Sequence, residues 1–230
     1  MTPETLATVM DATWPCARHW REGAFTLRDG AGGGKRVSAA TCDGAWTDTD
    51  LAMVERMPSP LVLIRAGEEA LDAALGERGW RIVDPVVAYA APVASLIADL
   101  PALAAFPHWP PLEIARSVWA EGGIGPERLA VMDRVQSAKT ALLARHGDRP
   151  AGVAFVACHE NEAMVHALEV RRALRRGGVG TTLLLAAANW AALAGADRLS
   201  LVVTQQNFAA CALYARLGMQ IVGRYHYRTK

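Results

Sequence analysis

The sequence predicts a mixed α/β protein of the α+β kind. Three observations carry that expectation. Residues 139–170 form short apolar runs separated by polar turns, the pattern of an antiparallel meander. An arginine- and glycine-rich turn, Arg175-Arg176-Gly177-Gly178-Val179-Gly180, then feeds a long apolar helix pattern. The first 92 residues carry their own succession of strand pair, helix, strand, helix and strands.

The chain has 230 residues, of which 52% are hydrophobic and 20% charged. That suffices for one large domain or two small ones with real cores. A net charge of +1 gives no global electrostatic reason to expect nucleic acid or an acidic membrane as partner. Cys16, Cys42, Cys158 and Cys211 lie far apart, with no CxxC or Cys/His cluster. No metal site and no disulfide is expected, only free thiols in a reducing compartment. The first residues lack the basic start and apolar core of a signal peptide. The most apolar run, Val179 to Ala194, is interrupted by Thr181, Thr182 and Asn189 and is shorter than the roughly 20 residues of a membrane span. A soluble, cytoplasmic protein is expected.

In chain order, Thr2 to Arg21 reads as a helix, with Pro3 just inside a capping threonine. Ala24–Asp29 and Lys35–Cys42 read as strands. The glycines between them, 30–34, do not make a phosphate loop: the spacing is absent, no Ser or Thr follows Lys35, and no helix pattern follows. A hairpin loop is expected there. Thr47 to Arg56 is a short helix, Ser59 to Arg65 a buried strand, and Glu68 to Arg78 a helix stopped by Gly79. Trp80–Asp84 and Val86–Ala91 are strands on either side of Pro85. Between residues 94 and 111, Pro101, Pro107, Pro110 and Pro111 forbid a long helix. This stretch is the crossover between halves, with the next strand around Leu112–Arg116. Ser117–Glu121 and Gly125–Gln136 are helices, the second opened by Pro126 and Glu127. Strands Lys139–Arg145, Ala151–Cys158 and Met164–Val170 complete the meander.

Glycines 177, 178 and 180 allow positive φ and close approach of a ligand. The helix behind them, apolar on nearly every face, leaves its first amides unpaired and its positive end aimed at the turn. Its dipole favours an anion by ~0.3–1 kcal/mol at an exposed site, and Arg175 and Arg176 add charges that fork onto phosphate oxygens. The same residues also describe a glycine-eased corner with solvated arginines. After a strand at 198–204, Asn207 and Tyr214 stand two helical turns apart and can face one groove. Taken alone, Asn207 is a helix cap and Tyr214 a packing residue with its hydroxyl at the edge.

Together these residues resemble the Gcn5-related N-acetyltransferase (GNAT) superfamily. Its Arg/Gln-x-x-Gly-x-Gly/Ala motif is matched by Arg175-Arg-Gly-Gly178-Val-Gly180 behind Leu168-Glu-Val170. Its later motif is matched by Asn207, Ala210-Cys-Ala-Leu-Tyr214 and Leu217-Gly218. The match covers roughly 139–230. Residues 24–92 look like a worn copy of the same fold, with Gly79-Trp80 in the place of Leu217-Gly218-Met219 and no phosphate turn or Asn/Tyr pair. The whole chain resembles tandem GNAT proteins of bacteria. The resemblance implies a mostly antiparallel central sheet flanked by helices, in two pseudo-repeated halves: 1–95, a degenerate copy, and 96–230, the acetyl-CoA-binding domain.

What the resemblance implies chemically is direct transfer of acetyl from acetyl-CoA, the co-substrate, to an amine of a small molecule or protein. Backbone groups of Leu168 and Val170 would hold the pantetheine arm. The turn Arg175, Arg176, Gly177, Gly178, Val179, Gly180 and Thr181 would hold the pyrophosphate. Asn207 would contact the cofactor, and Tyr214 would protonate the leaving thiolate while lining the cofactor site. Glu169 is the candidate base, against the alternative of a strand glutamate paired with Arg171 or Arg172. His166, Glu162 and His226 are rivals for that role. Trp109, Trp119, Tyr225 and Tyr227 are candidates for pocket lining or for packing. A homodimer is compatible with the resemblance. The competing functions are a non-catalytic acyl-CoA binder or sensor, and an interaction module docking through its N-terminal half.

Overall fold

In the computed structural model, which describes residues 1–230, the chain is built on an eight-stranded sheet and a small three-stranded one. The first part contributes α1 (Pro3–Thr13), β1 (Arg18–Glu22), β2 (Phe25–Asp29), α2 (Lys35–Ser38), β3 (Thr41–Cys42), α3 (Asp48–Glu55), β4 (Leu61–Arg65), α4 (Glu69–Glu77) and β5 (Arg81–Pro92). The second contributes β6 (Ala105–His108), α5 (Glu113–Glu121), α6 (Pro126–Arg134), β7 (Lys139–His146), β8 (Arg149–His159) and β9 (Glu162–Val170). It ends with α7 (Val179–Leu193), β10 (Arg198–Thr204), α8 (Phe208–Arg216) and β11 (Gln220–Thr229). No helix is long and apolar enough to cross a membrane.

Strand order in the large sheet is β4-β11-β5-β10-β9-β8-β7-β6. Only β9 and β10 run parallel; every other neighbour pair is antiparallel. The last strand of each part is inserted into the other. β11 lies between β4 and β5, and β5 lies between β10 and β11. One sheet therefore runs across residue 95.

The alternation of β8 divides the core into two layers. Ala154, Val156 and Cys158 face α7, in a cluster with Leu183, Leu184, Tyr89 and Tyr214. Val153, Phe155 and Ala157 face α5 and α6, in a cluster that Trp14 joins from the N-terminal segment. The aromatic stack makes that docking specific: Trp14 lies 6.1 Å from Phe155 and 4.9 Å from His166, centroid to centroid.

Several local expectations are corrected. The first helix ends at Thr13 and not Arg21. Trp14 leaves helical geometry (φ −146), Pro15 can donate no amide, and residues 18–22 pair with β2 instead. The hairpin turns at Gly23 (φ +56), not at the glycine run. That run leads into the short helix α2, so Lys35–Cys42 is not one strand. It lies against α6, where a Cβ on Gly33 would come within 2.5 Å of Val131. Leu112–Arg116 is not a strand: Leu112 caps α5, which buries Ala115, Val118 and Trp119 at helical spacing. Pro85 does not split two strands. It sits in β5 beside the ladder irregularity at Tyr225/Tyr227, where no amide is required of it. As its apolar make-up suggests, α7 is covered on both sides, by the sheet and by the segment after β5, where Asn189 Nδ2 donates to the Ala98 carbonyl at 2.8 Å; only Ala192 and Leu193 in its last turn are exposed.

Candidate active site

The sheet opens between β9 and β10. The two strands pair from Glu162–Val165 against Arg198–Leu201 and no further. The cause is a bulge in β9. Ala167 takes a left-handed φ of +49, and the ladder to β8 shifts between Val153 and Phe155. An L-residue in that region costs roughly 1–2 kcal/mol. The buried indole of Trp119 holds it there, donating Nε1–H to the Ala167 carbonyl at 2.8 Å. Trp119 is thus core, but core that shapes the wedge. Beyond the bulge, the β10-facing main-chain edge of residues 166–170 is left without a strand partner.

The arginine/glycine turn lies at the end of this strand. Arg176 (φ +68) and Gly178 (φ +82) both take left-handed conformations, and Gly178 caps α7. The N–H groups of residues 176–181 find no backbone acceptor; the first bond of the helix runs from Thr182 to the Gly178 carbonyl, 3.0 Å. Val179 is buried, Thr181 half-buried, and Gly177 exposed. Gly180 lets α8 approach, for a Cβ there would stand 3.1 Å from Leu213. His146 packs its ring against Gly177, a neighbour with no sequence signal.

Arg175 does not extend from this turn. Its Nη2 donates to Glu169 at 2.9 Å and its Nε to the Val170 carbonyl at 3.1 Å. Glu169 accordingly pairs with Arg175, while Arg171 pairs with Glu121 at 2.8 Å. The Glu169 side chain packs against Gly122 of the α5–α6 loop, where a Cβ would come within 2.4 Å of it. Leu168 and Val170 point to the other face, half-buried against the α7 cluster. A cavity of about 580 Å³ lies between Gly122–Gly123 and the stretch Glu169–Arg175.

Tyr214 belongs to the α7 face as well. It is buried, its ring 5.4 Å from that of Tyr89. Burial pushes its phenol up to about 12, with smaller contributions from Cys211 and Tyr89. Asn207 is exposed and caps α8, its Oδ1 accepting from the Ala210 amide at 3.2 Å. Tyr214 and Glu169 thus stand on opposite faces of the sheet, on either side of the wedge.

The rival bases are otherwise engaged. Thr13 Oγ1 donates to the Val9 carbonyl at 2.6 Å, so it accepts from His166 Nε2 at 2.9 Å. His166 Nδ1 then carries the lone pair that accepts from Arg36 Nη1 at 2.9 Å. Burial, reinforced by the Arg36 charge, holds this imidazole well below the usual histidine range and neutral. Glu162 pairs with Arg198 at 2.7 Å, at the closed end of the wedge. His226 bonds Asp72 at 2.8 Å, on the first part of the chain.

A second cavity, of about 360 Å³, opens on the Glu169 side. Its floor is the wedge itself, Ala167 with Val202, Val203 and Thr204. Its walls include Trp14, Lys35, Arg36, Arg128, Tyr225 and Tyr227. The two tyrosines therefore line a cavity, whereas Trp109 packs on Phe155 at 5.6 Å. No motif marks Arg36, Arg128 or Trp14. The one available signal is Lys35-Arg36 behind the glycine run, a pair that fits no phosphate loop and otherwise reads as strand.

Residues 109–219 match the model of the acetyltransferase (GNAT) family. The chain is 23% identical over 236 residues to YobR of Bacillus subtilis (strain 168), named an uncharacterized N-acetyltransferase, with 95% of each chain covered. Its fold is similar to that of a GCN5-related N-acetyltransferase from Kribbella flavida, at 17% identity, a TM-score of 0.71 and coverage of 99% and 95%. It is also similar to a tandem GNAT protein from the clavulanic acid biosynthesis pathway, at 16% identity, a TM-score of 0.62 and coverage of 90% and 77%.

Proposed function

Because residues 109–219 match the GNAT acetyltransferase family, we propose that this protein transfers an acetyl group from acetyl-CoA directly to a primary amine. The observation that carries the reading is the row of unpaired amides at 176–181, heading α7 beside an opened strand pair. Such amides form an anion cradle. In this reading they take the pyrophosphate, together with the Arg176 charge. The open edge of β9 at Leu168 and Val170 takes the amides of the pantetheine arm. The Val170 carbonyl already accepts from Arg175, but a carbonyl has a second lone pair to offer. Asn207 spends its Oδ1 on the cap, which leaves its amide donor for the cofactor.

Acetyl-CoA supplies an activated acetyl thioester. The amine nitrogen forms a bond to the acetyl carbon as the carbon–sulfur bond breaks. An amine of pKa ~10.4 must first become neutral, which costs about 4–5 kcal/mol at pH 7. Solvent takes that first proton, and Glu169, on one side of the wedge, takes the second, which the nitrogen sheds as its bond to the acetyl carbon forms. Tyr214 faces the departing sulfur from the other. With its phenol near 12 and an ordinary thiol near 8.5, complete transfer to the thiolate is uphill by about 5 kcal/mol. Tyr214 therefore acts chiefly as a hydrogen-bond donor to the thiolate, with solvent completing protonation.

The chain's two-unit organisation, 1–95 and 96–230, belongs to the same proposal: a first copy that has lost its cofactor site and now serves the second. A binder or sensor of acyl-CoA is the second reading, favoured by one feature, the engagement of Glu169 by Arg175. Thiol release from acetyl-CoA across an amine panel separates the two. For the cofactor site, acetyl-CoA is titrated calorimetrically into the wild type and into Arg175→Ala plus Arg176→Ala. A loss of about tenfold or more in affinity is expected; unaltered affinity removes the turn from the site.

A further inference from the structure

The 360 Å³ cavity on the Glu169 side is at the small end of ligand sites, which run from about 300 to 1,000 Å³. Its charges do not balance. Lys35 is paired with Asp84 at 2.6 Å, and Asp84 is the only carboxylate of the lining. Arg36 and Arg128 are left, and neither has an acidic partner within the protein. Arg128 is exposed at the rim, beside Gly34. Arg36 is held in place by neutral groups only. His166 Nδ1 accepts from its Nη1 at 2.9 Å, and the Trp14 ring lies 5.9 Å from its guanidinium carbon. Its Nε is buried and has no hydrogen-bond partner.

A buried donor on a charged group is costly to leave unpaired. The arrangement around Arg36 orients the guanidinium and does not neutralise it. His166 is fixed as an acceptor by Thr13, so it lends a lone pair and no charge. That is how a site for an incoming anion is built. The floor of the same cavity is Ala167 and Val202–Thr204, the mouth of the wedge to which acetyl transfer is assigned above.

We propose that the acceptor is a small primary amine that carries an anionic group, carboxylate or phosphate, bound by Arg36 with Arg128 at the rim, so that its amine end reaches the β9–β10 wedge. This rests on the acetyl-transfer reading. It also gives the first part of the chain a purpose. Trp14, Arg36 and the loop before it hold one end of the substrate, and the second part carries out the transfer. A protein lysine, whose side chain has no anionic end, does not use Arg36.

The test has two independent arms. In the first, thiol release from acetyl-CoA is measured with matched amines: the common amino acids against their amides, and O-phosphoethanolamine against ethanolamine. The wild-type protein is expected to prefer the anionic member of one set by about 10- to 100-fold in kcat/KM, and the set that wins identifies carboxylate or phosphate. Arg36→Gln and Arg128→Gln are expected to lower kcat/KM at least tenfold further for the anionic member than for its neutral partner, and Arg36→Lys to restore part of the preference. Equal losses for both members, or best activity on uncharged amines or a lysine peptide, overturns the proposal. In the second arm, acetate and inorganic phosphate are titrated without acetyl-CoA while the Arg36 Nε–H resonance is followed by NMR. With the resonance assigned by its loss in Arg36→Lys, a saturable shift supports the anion site; no shift overturns it. Absence of thiol release with every amine overturns acetyl transfer and the acceptor role with it, while the Arg36 resonance separately decides whether the anion site exists.

Discussion

α4 and α8 end in the same way. Gly79 and Gly218 both turn left-handed, at φ +82 and +78. The next amides reach back five residues, Trp80 to the Leu75 carbonyl at 3.0 Å and Met219 to the Tyr214 carbonyl at 3.1 Å. Each helix then delivers a strand, β5 or β11, into the other unit. The geometry is shared, and so is the packing role of the residue before the turn, for Leu75 and Tyr214 are both buried. The difference lies in what that position carries. Leu75 brings apolar volume, Tyr214 brings the same burial with a hydroxyl. At the other end of α4, Glu68 makes no cap and folds onto Arg65, accepting from its amide at 2.7 Å. At the start of α8, Asn207 caps with its oxygen. If the two units are copies, as proposed above, one helical scaffold has kept its fold in both and its polar chemistry in one.

The largest effect tests whether the chemically equipped unit stands alone. A fragment of residues 96–230 loses β5, which separates β10 from β11, and Trp14, which packs on Phe155 and His166. It leaves β10 and β11 with long unpaired edges. No cooperative unfolding transition is expected from it by circular dichroism, against a single one for the full chain. A folded, monomeric fragment breaks the picture of reciprocal strand exchange.

Giving α8 the side chain of α4 at a single position comes next. Tyr214→Leu installs what α4 has in that position. Loss of a hydrogen-bond donor to the leaving group is expected to lower kcat by about 10²-fold, with the acetyl-CoA dissociation constant little changed. Tyr214→Phe, which keeps the ring against Tyr89, separates the hydroxyl from the packing. If Phe restores the rate, Tyr214 is a core residue like Leu75, and the chemical contrast between α8 and α4 disappears.

That contrast also explains what the sequence made legible. Turn and cap residues act locally. Gly178, Gly79, Gly218 and the spacing of Asn207 to Tyr214 announce their roles within a few positions of themselves. The meander does likewise, since each strand's period-two pattern is its own. What stays hidden depends on partners far away in the chain. The strand exchange of β5 and β11 leaves no trace in either strand's composition. The glycine run at 30–34 is explained by α6, about a hundred residues on, and Arg36 by His166. Arg175 is legible as an arginine beside a turn, but its choice of Glu169 over solvent is set by the bulge in β9. The turn residues at 176–181 therefore keep to one place as their motif suggests, whereas Arg175 leaves it for Glu169, and the proposed acceptor side, assembled from both units, does not show in either.

The seam between the units has a pH signature. His166 touches Thr13, Trp14 and Arg36 of the first unit from β9 of the second, with Phe155 beside it. Its folded form is neutral and hard to protonate, whereas in the unfolded chain its pKa is about 6.5. Below that value the unfolded state binds the extra proton. The stability contribution is present above about 6.5 and is lost as pH falls, by about 1.4 kcal/mol per unit. His108, pushed down by burial with neither ring nitrogen bonded, adds a slope of the same sign. Urea unfolding between pH 7.5 and 5.5 is expected to show both, and His166→Gln to remove one histidine's share. An unchanged slope in that variant shows that His166 takes up its proton as readily in the folded protein as in the unfolded chain, so that the fold does not hold it as the neutral acceptor for Arg36.

The smallest effect sharpens the second chemical difference, Asn207 against Glu68. Asn207→Ala removes a cap and is expected to cost about 1 kcal/mol of stability. On its own this decides nothing, because a weakened α8 also loosens the packing of Leu213 on Gly180 and disturbs the turn. Asn207→Ser is the sharper variant. Serine caps about as well as asparagine, adds no charge to repel a phosphate, and has no amide donor. If Asn207 does nothing but cap, Asn207→Ser keeps both the unfolding midpoint and the acetyl-CoA affinity. If its free amide donates to the cofactor, stability holds while affinity falls by about tenfold, the worth of one hydrogen bond of roughly 1.4 kcal/mol. The second result is expected. It would place the chemical difference between α8 and α4 at both ends of one helix, each at a residue whose main-chain role α4 performs without that side chain.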